Sequence, residues 1–117
     1  MLAGIALTAL LAVWTPDPIG GPYDTDFDPA ARWNGFLQAT EAVVWCESKG
    51  RADAVNPASG AAGLYQLAPV HRRRAERLGW TWEEVSTDAL ANTAVAFNLY
   101  IEQGLGPWES SRGCWEP

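Results

Sequence analysis

From Asp28 onward the apolar residues recur in helical steps, and nowhere do they alternate as in a half-buried strand. That pattern confines the chain to a mainly α fold. Asp28 before Pro29 predicts an N-cap with proline at the first helical position. Trp33, Leu37, Thr40 and Val44 then form one helical stripe, and Gly50 predicts its stop. Residues 50–63, rich in Gly, Asn-Pro and Ser-Gly, read as a loop. Pro69 opens a short helix through Leu78. Thr81, with Glu84 three residues on, predicts a capping box. Thr87 or Asp88 starts the last long helix, with Leu90, Ala94, Phe97 and Ile101 as its stripe and Gly104 as its stop.

A chain of 117 residues holds one small domain, expected at 29–117. Residues 15–28, rich in Pro, Gly and Asp, read as a linker. Residues 1–14 are almost wholly apolar but too short for a bilayer, which takes roughly 20 residues. Their length suits the core of an export signal, although no cation precedes Arg32. The expectation is a degenerate signal or anchor and an exported protein in the cell wall or outside the cell, with association with a phage virion as the alternative location. The alternative is an apolar arm packed on the domain or a partner. Membrane contact is expected only through this segment.

A formal charge of −6 argues against nucleic acid as a partner, because such affinity rests on neutralising phosphates with Lys and Arg. The basic run His71-Arg72-Arg73-Arg74 reads as a solvated helix face. The seven tryptophans either fill a small core or line a groove, and composition does not decide between them. Cys46 and Cys114 match neither a zinc pattern nor a C-x-x-C pair. They are two free thiols or one bridge. The bridge is expected, since Cys114 sits in a Gly-containing tail with little else to hold it, and a bridge implies an oxidising compartment.

The first stripe, extended by three residues, lands on Glu47. A carboxylate on the inward face of a helix's last turn meets partial burial and the negative end of the helix dipole. Both disfavour the charged form, which suits a general acid. The alternative is a glutamate that caps the helix or pairs with Lys49 or Arg51. The small residues Ala61, Ala62 and Gly63 that follow let backbone approach a ligand closely, and Tyr65 and Gln66 add a ring and an amide.

The stretch "CESKGRADAVNPASGAAGLYQLAP" resembles the catalytic motif of soluble lytic transglycosylases and their goose-type lysozyme-like relatives. Glu47, Ser48, Ala54, Val55, Gly60, Ala61, Gly63, Leu64, Gln66 and Pro69 carry the likeness. A second block, "DALANTAVAFNLYIEQGLGPW", is similar to the family's later helix. The Cys-Glu-Ser start and the "GPWESSRGCW" end are similar to its actinobacterial and phage branch, which includes resuscitation-promoting-factor-like domains. Two departures stand out: Tyr65 before Gln66, and Leu99-Tyr100 in reversed order.

The resemblance implies a lysozyme-like single domain with an active-site groove, a monomer acting on peptidoglycan glycan strands without metal or cofactor. Glu47 would be the acid/base. Ser48 and Gln66 would orient the sugar, Tyr65, Tyr100 and Trp108 would line the groove, and Asn92 would brace its helix. The implied reaction is cleavage of the β-1,4 bond between N-acetylmuramic acid and N-acetylglucosamine with a 1,6-anhydro product. A lysozyme-type hydrolase would need a second carboxylate, for which Asp53 and Asp88 are the candidates. A non-catalytic wall-binding module, with a structural Glu47, is the third class.

Overall fold

The computed structural model describes residues 28–117. The expected signal or anchor at 1–14, and the expected linker up to residue 27, lie outside the described residues. The chain divides into two compact units, 1–32 and 33–117. Of the first, only Asp28 to Arg32 is described. There Asp28 caps the helix start, its Oδ1 accepting from the Ala30 N–H at 3.0 Å. Helix α1 (Pro29–Ala39) begins at this cap, and its buried contacts belong to the second unit.

Helix α2 (Glu41–Ser48) continues α1 across a bend at Thr40, where ψ is 8°. The backbone ladder runs through the bend: Thr40 N–H donates to Phe36 C=O and Val44 N–H to Thr40 C=O, both at 3.0 Å. The single helix predicted from the stripe is therefore bent, and the residue responsible is on the stripe itself. Thr40 Oγ1 donates back to Phe36 C=O at 2.8 Å, a bond that bends helices. The buried face is also turned by one position from the expected one. Phe36, Thr40 and Val43 are buried, while Leu37 is exposed. Lys49 and Gly50 then take left-handed conformations, with φ of 57° and 79°, and end α2 where the glycine predicts.

No strand occurs among the described residues. Two isolated bridges, Val55 with Ala62 and Ala62 with Leu67, fold the loop after α2 back on itself. A 3₁₀ turn (Pro69–His71) leads into α3 (Arg72–Arg77). Arg74 departs from the solvated face expected of the basic run. It donates to Asn98 Oδ1 at 2.6 Å and to Glu102 Oε1 at 2.8 Å, pinning α3 to the last long helix. Helix α4 (Trp82–Thr87) carries the predicted capping box between Thr81 and Glu84.

Helix α5 (Ala89–Gln103) starts at Asp88, whose carboxylate accepts from the Ala91 N–H at 3.0 Å, and stops at Gly104. Its buried face is the second correction. Leu90 and Ile101 are 59% and 49% exposed, whereas Ala91, Asn92, Val95, Ala96 and Leu99 are buried. Small residues let the α4 backbone come close, and Asn92 gains three hydrogen bonds by facing inward. Size and bonding outweigh the hydrophobicity of the expected stripe.

The chain closes with a 3₁₀ segment (Gly106–Ser111) and α6 (Arg112–Trp115), which pack against α2. The core centres on an aromatic cluster, with Phe36 5.4 Å from Tyr65, 5.2 Å from Phe97 and 5.0 Å from Tyr100 between ring centroids. Trp108 fills the core as one of the two expected uses of tryptophan, while Trp45 is 61% exposed.

Candidate active site

Glu47 lies in the last turn of α2, half-buried, as its place on the sequence predicts. Neither Lys49 nor Arg51 pairs with it. Lys49 Nζ stands 5.3 Å from the Trp45 ring, and Arg51 faces Asp53 at 3.7 Å. The partner of Glu47 is a neutral donor from the far end of the chain: Ser111 Oγ donates to Glu47 Oε2 at 2.5 Å.

The covalent link beside it explains how these two ends meet. Cys46 and Cys114 are bridged, with Cα atoms 6.1 Å apart, so the expected pairing is present. Ser111 stands three residues before Cys114, about one helical turn from the bridge, and Cys46 precedes Glu47 directly. Neither the helical stripes nor the loop motif points to Ser111. The signal that finds it is the combination of a bridge next to the acid with a hydroxyl one turn before the second cysteine.

The loop from Ala61 to Leu67 is fixed from below by Asn92. Its Oδ1 accepts from the Tyr65 N–H at 2.8 Å, and its Nδ2 donates to Ala62 C=O and Val85 C=O, each at 2.9 Å. Its role is structural, as expected, but it braces the loop rather than its own helix. Gly63, at φ +80°, makes the approach feasible: a Cβ there would stand 2.1 Å from Asn92 Nδ2. Gln66 is left-handed at φ 48°. Its Nε2 donates to Ala54 C=O at 2.9 Å and Gly63 C=O at 3.0 Å, which ties the two ends of the loop together.

Several expected groove residues have internal duties. Ser48 is buried, donates to Val44 C=O at 3.1 Å and accepts from the Gly50 N–H at 3.2 Å, so it finishes α2. Trp108 is buried and its indole N–H donates to Tyr65 C=O at 2.9 Å. Tyr65 is buried too, its phenol 2.7 Å from Thr40 Oγ1. Because the single Thr40 proton goes to Phe36 C=O, the phenol is the donor in that pair. Burial pushes the Tyr65 phenol up from its ordinary value. Tyr100 is half-buried against Phe36.

An open cleft of about 360 Å³ runs along α2, lined by Leu37, Gln38, Glu41, Val44, Leu64, Tyr65 and Thr93. Glu47 is not in its lining. Val44 is, however, and lies one turn before Glu47 on the same side of the helix. Of the expected groove residues, Tyr65 borders this cleft. Asp53 is exposed beside Arg51, and Asp88 is occupied as the α5 cap. Among the described residues neither makes a hydrogen bond to the Glu47 site. None of the described helices is long and apolar enough to cross a membrane.

Comparison with curated proteins and with solved structures gives no significant match. A family model described as "Transglycosylase SLT domain" matches residues 27–107, which takes in α1 to α5 and the acid-bearing loop motif. With most of the chain matched and a helical, lysozyme-like domain around Glu47, the chain belongs to the transglycosylase SLT domain family, whose activity is of the transglycosylase type on peptidoglycan.

Proposed function

We propose that the protein is a lytic transglycosylase that cleaves the β-1,4 bond between N-acetylmuramic acid and N-acetylglucosamine with Glu47 as its acid/base. The observation that carries this reading is that, among the described residues, no second carboxylate is bonded beside Glu47. Glu47 is half-buried and held by one neutral hydroxyl, while Asp53 and Asp88 have other engagements. Protonated Glu47 gives its proton to the leaving glycosidic oxygen. The substrate's own acetamido group supports the cationic carbon. Ionised Glu47 then takes the proton from the muramyl 6-hydroxyl, whose oxygen closes the 1,6-anhydro ring. The attacking group is already on the sugar, so proximity favours this exit over capture of water.

Gln66 supports the substrate-facing side of the reading. Among the described residues its side chain bonds only through Nε2, which leaves Oε1 to accept from a sugar amide. The Cys46–Cys114 bridge fits a protein exported to an oxidising space, the side on which the wall lies.

Digestion of purified peptidoglycan with mass analysis tests the proposal. The expected fragments end in 1,6-anhydro-muramic acid and are one water lighter than hydrolytic products. Glu47→Gln keeps its hydrogen-bond partner but has no proton to give, and should cost about 10²–10⁴ in rate. Fragments that all carry reducing-end muramic acid make the protein a lysozyme-type hydrolase. A folded Glu47→Gln variant with undiminished wall cleavage removes Glu47 from the chemistry.

A further inference from the structure

We propose that Ser111 is the positioning residue for the Glu47 carboxyl, and that it serves both protonation states by turning its single hydroxyl proton. This inference rests on the reading of Glu47 as the acid/base. Ser111 Oγ has three polar neighbours: Glu47 Oε2 at 2.5 Å, Trp115 Nε1 at 3.0 Å and Trp108 C=O at 3.1 Å. A hydroxyl has one proton and two lone pairs. When Glu47 is ionised, Ser111 donates to Oε2 and accepts the Trp115 indole N–H. When Glu47 is protonated, the carboxyl O–H donates to Ser111 Oγ, and the Ser111 proton swings to Trp108 C=O. The Trp115 N–H keeps its lone pair throughout.

No proton is gained or lost by Ser111, and its hydroxyl has an acceptor both before and after Glu47 delivers its proton; when that hydroxyl turns to Glu47, Trp108 C=O still accepts from the shared Trp115 indole N–H at 3.2 Å. An enclosed polar group left without a partner is costly, so a partner that suits both states avoids a penalty at each half of the reaction. A lysine or arginine would favour only the ionised form, and Lys49 and Arg51 both point to other partners.

The fold holds the hydroxyl in place from three sides. Trp108 is buried and tied to Tyr65 C=O, Cys114 is bridged to Cys46, and Trp115 packs partly buried against the core. Trp108, Ser111, Cys114 and Trp115 all lie beyond the 27–107 stretch that the family model matches.

The test measures kcat, KM and melting temperature on soluble uncrosslinked glycan strands for wild type, S111A, S111T, W115F, the S111A/W115F double variant and E47Q. S111A should lower kcat by about 10- to 100-fold, the range for a hydrogen bond to a charged group, with KM and melting unchanged. S111T, which keeps the hydroxyl, should recover most of the rate. W115F should lower kcat less, and nothing further when added to S111A, because both act through one hydroxyl. Wild-type kcat in S111A, or equal impairment of S111A and S111T at native melting temperature, overturns the proposal. Should S111A melt early, W115F decides, and an unchanged kcat there overturns it as well. An inactive E47Q beside a fully active S111A removes only Ser111, whereas an active E47Q removes the acid assignment itself.

Discussion

Asn92→Ala should be among the most damaging single substitutions in this chain. The amide is fully buried and makes three hydrogen bonds to backbone groups of two other segments. Ala62 C=O would survive the loss, because it also accepts from the Leu67 N–H at 2.9 Å. Tyr65 N–H and Val85 C=O would not, since no other described group bonds to either. Each orphaned buried group costs about 1–3 kcal/mol. Two of them, with the space left by the amide, give about 4 kcal/mol, a large share of the 5–15 kcal/mol typical of a folded domain. For a domain of this size that corresponds to a fall of about 15–30 °C in melting temperature. Circular dichroism through thermal and urea unfolding reads it directly. Asn92→Asp separates bonding from packing, because it keeps the shape and replaces the donor with a carboxylate oxygen that faces the Ala62 and Val85 carbonyls. It should destabilise at neutral pH about as much as alanine. A loss below about 1 kcal/mol in both variants would refute the reasoning that Asn92 anchors the loop.

Replacing Cys46 and Cys114 by serine, or reducing them, should cost about 4 kcal/mol on the chain-entropy model for a bridge spanning 68 positions. Melting with and without reductant checks this, and equal melting after complete alkylation of both thiols would count against it. Tyr65 adds a pH dependence at the alkaline end. Its phenol is raised in the folded chain by burial, so its contribution is fully present below the ordinary tyrosine value of about 10 and is lost as pH rises beyond it. Stability above pH ~10 should fall less steeply in Tyr65→Phe than in wild type, and identical slopes in urea titrations across that range would dismiss the effect.

The ends of helices were legible in the sequence, and their faces were not. Asp28, the Thr81–Glu84 pair, Asp88 and Gly104 act on backbone within a few residues, so local chemistry suffices to read them. The buried faces of α1 and α5 depend on partners far along the chain. Thr40 turns inward to meet a phenol 25 residues away, and Asn92 faces a loop 27 to 30 residues before it. A stripe read by hydrophobicity does not anticipate Asn92, which faces inward for its three hydrogen bonds, and it therefore places the exposed Leu90 and Ile101 on the buried face. The site divides along the same line. Glu47 and the Cys46–Cys114 bridge follow from a motif and a cysteine count, whereas the Ser111 contact joins residues 64 apart and has no local signature.

The tail also separates the unit that heredity recognises from the unit that folds. The family match ends at Pro107, and Trp108, Ser111, Cys114 and Trp115 follow it within a few residues. A chain trimmed to the matched boundary would keep its acid and lose the wall behind it. It would also leave Tyr65 C=O without the indole that caps it, and Cys46 without its mate. For anyone grafting or shortening this domain, the usable edge lies after the second tryptophan of the tail.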